Sequence, residues 1–170
     1  MFPLLLALAV VETTLSLSWN RFYFRCGIPV FRTQTTSAVP APRLPDADRV
    51  LGMLKGTRYV DLQIRELDPV TYAIREGTWG GFSKTSYTAI MRGVLRLRPN
   101  GTVEIVGNLN WFTLVFVPIF ATVPVIWGGP LGLIFPAFLV GLLGSIYSVQ
   151  SRRFGEVLDV AVQALGERVG

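Results

Sequence analysis

The chain has 170 residues, 51% of them hydrophobic and only 16% charged, against about a quarter charged in soluble proteins. It contains no histidine, which removes the commonest general base and the commonest metal ligand; its single cysteine, Cys26, excludes an intrachain disulfide and a thiolate metal cluster. The net charge of +5 is spread along a chain that also carries lipid-soluble segments, so anionic lipid headgroups account for it better than nucleic acid does.

Residues 1–19, MFPLLLALAVVETTLSLSW, form the first apolar segment and are expected to be an N-terminal transmembrane anchor helix. Two other readings stand beside it. A cleaved signal peptide lacks support, because no basic residue precedes Leu4 and no small-x-small cleavage site lies near Ser16 and Ser18. A non-spanning segment is suggested by Glu12, whose carboxylate is costly in mid-bilayer. The expected remedy is protonation, or a partner further along the chain such as Thr122 or Tyr147.

Residues 20–108 are expected to form a small cytoplasmic β-rich domain. In residues 20–34 the aromatic and basic residues nearly alternate, placing Phe22, Phe24, Cys26 and Ile28 on one face of a strand and Tyr23 and Arg25 on the other. Cys26 lies near enough to the apolar segment for S-acylation, although a buried, inert thiol is the ordinary reading. A Pro-rich loop covers 35–46, and Asp46 or Asp48 then caps a short helix over DRVLGMLK that ends at Gly56. The Asp46/Asp48 pair has no third ligand nearby, which favours capping over metal binding.

From Thr57 the pattern is that of strands. In TRYVDLQIREL, Val60, Leu62 and Ile64 alternate with Asp61, Gln63 and Arg65; a turn at Asp68-Pro69 leads into a second strand over VTYAIREG. The next loop, GTWGGFSKTS, has Ser83 and Thr78 where a phosphate-binding loop needs glycines, so it reads as a hairpin loop that offers Trp79 and Phe82 to a membrane or a partner. A β-hairpin follows, with Val94–Arg98 and Thr102–Val106 on either side of Pro-Asn-Gly. Leu95, Leu97, Val103 and Ile105 line its apolar face; Arg96, Arg98 and Glu104 are expected outside.

Residues 109–149 are read as a transmembrane helical hairpin. No Asp, Glu, Lys or Arg occurs from Trp111 to Val149, and the two apolar runs of roughly 17 and 19 residues match a hydrocarbon core of roughly 30 Å. Gly128-Gly129-Pro130 supplies the reversal. Trp19, Trp111 and Trp127 mark segment ends, where indole favours headgroups. Pro118, Pro124 and Pro136 are read as kinks in packed helices, and Gly132, Gly141 and Gly144 as close-contact points. Residues 150–170 carry Phe154, Val157, Leu158, Ala161, Val162 and Leu165 at helical spacing, an amphipathic helix that docks on the β-domain or on a second protomer. Arg21 and Arg25 after the first segment, with Arg152 and Arg153 after the third, place residues 20–108 and the C-terminus in the cytoplasm of a multi-pass cell-membrane protein.

The α+β architecture points to a non-enzymatic, membrane-anchored interaction or scaffolding module. Its partners are expected to be anionic headgroups, a protein or a second copy, but not nucleic acid, met through Arg21, Arg25, Arg92, Arg96, Arg98, Trp79 and Phe82. No cofactor or metal is expected. The alternatives are a membrane-surface enzyme, using Glu66, Asp68 or Glu76 with Ser83 and Lys84, and a small subunit of a transport complex.

Overall fold

A computed structural model describes residues 2–36, 43–55, 62–76, 90–127 and 132–166. Among the described residues the fold is α+β, with one five-stranded antiparallel sheet and one helix long and apolar enough to cross a membrane. The expected strand start at Thr57, the loop bearing Trp79, Phe82, Ser83 and Lys84, and the Gly128–Pro130 turn lie outside the described residues.

In chain order the elements are helix α1 (Phe2–Leu17), the short helix α2 (Arg21–Arg25), strand β1 (Pro29–Thr36), helix α3 (Ala47–Lys55), strands β2 (Leu62–Asp68), β3 (Thr71–Glu76), β4 (Met91–Leu97) and β5 (Thr102–Leu109), and helices α4 (Trp111–Trp127) and α5 (Ile134–Gly166). The sheet order is β1-β5-β4-β3-β2. The hairpin read over 94–106 is present and extends at its open end, pairing Met91 with Leu109 and Leu97 with Val103. Its turn is closed by Gly101 at φ +78°, a left-handed conformation that glycine adopts without strain. Asn100 Oδ1 accepts from the Thr102 N–H at 3.1 Å.

Residues 20–28 are not a strand. Asn20 caps a helical turn, its Oδ1 accepting from the Tyr23 N–H at 3.1 Å. The consecutive residues Tyr23 and Phe24 both pack on the same sheet face with Ala73 and Val94, which a strand's alternation does not allow. Asp46 caps α3 as expected, its Oδ1 accepting from the Asp48 N–H.

One sheet face carries Ile64, Tyr72, Ile74, Met91, Leu95 and Ile105 and is covered by α3 and by the C-terminal half of α5 through Val157, Leu158, Ala161 and Leu165. The docking of residues 150–166 on the β-domain follows from that apolar stripe. The other face carries Ala73 and Val94 and is covered by Tyr23 and Phe24 of α2 with Leu15, Trp19 and Trp111 around them.

The hairpin and the tail helix expected on either side of residue 150 are one helix. At 33 residues α5 is ~50 Å long, and it changes environment along its length. Its first half exposes Phe138 and Val140, whereas Phe154 and most of the apolar residues after it are buried. Phe154 sets how closely α5 approaches the sheet. Its ring lies over Gly93 and Gly107, which are paired across β4 and β5; a Cβ on either would come within 3.2 Å of that ring. α4 packs along the first half of α5, with Thr113 and Val117 sharing a cleft with Leu143 and Tyr147, and Phe120 and Val123 sharing another with Phe135, the order of an antiparallel pair. Pro118 and Pro124 lie inside α4; Pro136 lies in the first turn of α5, where its missing N–H has no helical acceptor to lose.

The glycine pair under Phe154 makes a direct test. Gly107→Val is expected to destabilise the protein by about 1–3 kcal/mol through overpacking, and Phe154→Ala by about 3–5 kcal/mol through the cavity it leaves. Both are read from denaturant midpoints in detergent micelles; a Gly107→Val midpoint equal to the parent's contradicts the packing described.

Candidate functional site

Three apolar helices, α1, α4 and the first half of α5, meet the sheet at one end, and a buried polar cluster stands at that junction. Glu12, in the middle of the otherwise apolar α1, is 7% exposed. Its Oε1 accepts from the Tyr23 hydroxyl at 2.6 Å and from the Trp111 N–H at 2.7 Å, and its Oε2 accepts from the Phe112 N–H at 2.5 Å. Trp111 and Phe112 begin α4, so a carboxylate from a distant helix satisfies two of the N–H groups that the start of α4 leaves unpaired and sits at the positive end of its dipole. The partners expected from sequence, Thr122 and Tyr147, are elsewhere. The Thr122 hydroxyl donates to the Pro118 and Ile119 carbonyls, and the Tyr147 hydroxyl donates to the Val30 carbonyl.

Arg92 completes the cluster. At 2% exposure, it donates to the carbonyls of Tyr23 at 2.8 Å, Leu109 at 2.9 Å and Cys26 at 2.5 Å. Its guanidinium lies 3.8 Å from the centre of the Tyr23 ring and its Nη1 lies 3.8 Å from Glu12 Oε1. Burial lowers the Arg92 pKa and the charges of Tyr23 and Glu12 counter this; an arginine starts so high that it stays protonated. Burial, then the hydrogen bond to Glu12, raises the Tyr23 phenol, and Arg92 offsets this only in part. Tyr23 therefore remains a proton donor at any physiological pH. Arg92, expected on the lipid- or partner-facing side, is thus enclosed, with its donors spent on backbone carbonyls.

A second buried contact ties α5 to the same end of the sheet. Gln150, fully buried, accepts at Oε1 from the N–H groups of Ile90 and Met91 and donates from Nε2 to Glu76 at 3.0 Å. Arg153 donates to the other Glu76 oxygen at 3.1 Å. Of the carboxylates considered for catalysis, Glu76 is thus part of this contact, Asp68 is paired with Arg25, and Glu66 is exposed. Among the described residues no group of three or more His, Cys, Asp or Glu is placed to hold a metal. The two clefts between α4 and α5 are apolar, with Tyr147 as their single titratable lining residue.

The remaining predicted arginines separate in space. Arg21 is exposed on α2 near the junction, whereas the Arg25 guanidinium reaches Asp68, level with Arg96 across the sheet. Arg96 and Arg98 lie away from the junction. β4 runs away from the junction, and five residues of strand place Arg96 ~17 Å beyond Met91. Glu104 also departs from expectation: it is 1% exposed, covered by Arg32 and by Arg98, whose Nε and Nη2 both reach its Oε2, at 2.9 and 2.7 Å. Burial pushes the Glu104 carboxyl up, but the hydrogen bonds and charges of Arg98 and Arg32 outweigh that and hold it below its ordinary value. Cys26 is half-buried and unbridged. Sequence reading missed Tyr23 and Gln150 as buried polar groups; the available signals were Glu12 inside an apolar run and Gln150 at the end of another.

Comparison of the chain with protein-family models, with curated proteins and with solved structures gave no match.

Replacing Glu12 by Leu strands two helix N–H groups, the Tyr23 hydroxyl and the Arg92 charge, and is expected to cost about 3–5 kcal/mol; Glu12→Gln keeps an acceptor and is expected to cost about 1–2 kcal/mol. Denaturant unfolding followed by tryptophan fluorescence measures both, and equal losses contradict the role given to the hydrogen bonds. For Glu104, whose pKa is lowered on folding, the stabilisation is complete above the ordinary carboxyl range and disappears as pH falls through the folded-state value. The stability gap between the parent and Glu104→Gln is therefore expected to be constant near neutrality and to narrow in acid below pH 4.5; a gap that widens in acid contradicts this assignment.

Proposed function

We propose that the protein is a multi-pass membrane protein that holds its β-rich domain against the cytoplasmic face of the cell membrane and works as a non-enzymatic interaction or scaffolding module. One observation supports this most: the exposed large apolar side chains cluster on the three helices at one end of the sheet. Leu4 is 76% exposed, Ile126 75% and Val140 68%, a continuous apolar surface that water tolerates poorly. In the proposed arrangement α4 and the first half of α5 form the transmembrane hairpin, and one sided placement of Arg21, Arg25, Arg152 and Arg153 orients it with the domain inside.

The position of α1 refines the anchor reading. Glu12 is level with the first residues of α4, so the described part of α1 that accompanies α4 runs from residue 3 to residue 11. At ~1.5 Å per residue this crosses roughly half of a ~30 Å hydrocarbon core, and α1 is read here as inserted in the cytoplasmic leaflet. Glu12 then lies at the level of the headgroups, not in mid-bilayer. Phe22, 65% exposed and edge-on to Trp111 at 6.5 Å, together with Ile28 and Arg21, forms the belt proposed to meet anionic headgroups. The engagement of Glu76 and Asp68 in ion pairs supports a binding role over catalysis.

The orientation is tested with single reporter cysteines at Leu133, Glu66 and Asp159 in a Cys26→Ala background. In intact cells an impermeant maleimide is expected to label only the Leu133 reporter, with the other two labelled after lysis. Labelling of the Glu66 and Asp159 reporters in intact cells overturns the cytoplasmic placement, and release of the protein by alkaline carbonate overturns its insertion.

A further inference from the structure

The net positive charge of the protein is not spread evenly over the domain. Strand register puts Arg32, Arg65, Arg75 and Arg96 on the α2-bearing face of the sheet: Arg32 stands opposite Val106, Arg65 opposite Ala73, and Arg96 opposite Glu104. Arg25 and Arg98 reach the same face through their ion pairs with Asp68 and Glu104. Among the described residues, and apart from Glu12 at its foot, those two acids are the carboxylates this face offers, and both are already engaged. On the opposite side of the domain both signs are interspersed, with Asp48 and Arg49 on α3 and Arg152, Glu156 and Asp159 on α5.

The surplus is uncompensated within the fold. Arg75 lies over the Trp19 ring at 4.3 Å and donates to the Ser16 carbonyl and to Gln63, so its partners are neutral. Burial and then the like charge of Arg65 lower its pKa. Like charges kept together without an acid between them cost folding stability unless something outside supplies the anion. The face also shows what such an anion looks like. Arg98 places two N–H groups on Oε2 of Glu104 and Arg32 donates to Oε1, charge-assisted bonds of the kind arginine makes to carboxylates.

We infer that the arginines bordering α2 on this face, Arg65 and Arg96 with Arg25, Arg32 and Arg98, dock an acidic segment of a protein partner that passes around the buried α2 contact. The inference deepens the reading of the protein as an interaction module by naming the chemistry of its partner. Membrane headgroups are the lesser fit, because β4 carries Arg96 ~17 Å away from the helix junction, beyond the layer in which surface lipid charge is strongest. The region nearest the junction, Arg21 with Phe22, is left to lipid.

The test uses the full chain reconstituted in phosphatidylcholine nanodiscs and a fluorescein-labelled deca-glutamate peptide, with binding read by anisotropy. The parent is expected to bind, and to bind more weakly as salt rises. Arg65→Gln/Arg96→Gln is expected to lose about fivefold in affinity, the sum of two exposed pairs, while Arg43→Gln/Arg152→Gln, exposed on other surfaces, is expected to bind as the parent does. Equal weakening in both double variants, or no binding by the parent, overturns the inference. So does loss of peptide binding when phosphatidylglycerol replaces phosphatidylcholine, since the arginines would then belong to the lipid surface. Failure of the chain to enter nanodiscs would instead count against the membrane reading, so the two are separable.

Discussion

A carboxylate in an apolar helix has to be answered, and the way Glu12 is answered organises this protein. Its oxygens take the first N–H groups of α4 and the hydroxyl of Tyr23. Each of these bonds constrains a different element: the height of α1 against α4, the start of α4 against the end of β5, and the seating of α2 on the sheet. Arg92 then fills the space beneath, tying the carbonyls of Tyr23, Cys26 and Leu109 together. The close fit is visible at Gly27, where a Cβ would come within 2.9 Å of the Arg92 guanidinium. Burial and the bond to Glu12 hold Tyr23 protonated, Arg92 is enclosed, and the cluster joins α1, α2, α4 and the sheet.

The second tie is mechanical in a different sense. α5 passes without a break from an apolar, outward-facing half to a half buried on the sheet, with Gln150 at the change of environment. Gln150 can be fully buried there because Ile90, Met91 and Glu76 satisfy both ends of its amide. Four residues on, one turn of helix, Phe154 settles onto the two glycines of β4 and β5. Together the two joints tie the sheet to the apolar helices. The cationic sheet face lies on the side of the first joint and points away from the helix that carries the second.

Much of this was legible in the sequence where a local rule governs. The β4–β5 hairpin follows from alternation around Pro-Asn-Gly, α3 from its Asp46 cap, and the docking half of α5 from the spacing of Phe154, Val157, Leu158 and Ala161. What escaped was set by distant contacts. The segment from Arg21 to Arg25 alternates like a strand, yet Asn20 and the demand to bury both Tyr23 and Phe24 make it a helical turn. The partners of Glu12 lie 11, 99 and 100 residues away, and backbone N–H groups leave no mark in composition. Arg92 resembles Arg96 and Arg98 in sequence and shares their sheet face; only the cover of Tyr23 and Trp111 separates a buried arginine from the half-buried Arg96 and the exposed Arg98. The break placed at residue 150 was a change of environment and not a change of structure, which hydropathy cannot tell apart.

The central claim is that α4 and the first half of α5 are solvated by lipid while the sheet-bound half of α5 is not. Nitroxide labels at Val115, Val123 and Val140, compared with Asp159, test it directly in reconstituted vesicles through their relative collision rates with oxygen and with a water-soluble nickel complex. The account predicts oxygen-dominated collisions at the first three positions, strongest at Val123, and nickel-dominated collisions at Asp159. Nickel access at Val115, Val123 and Val140 equal to that at Asp159 would contradict it and place the apolar helices against protein or water instead of lipid.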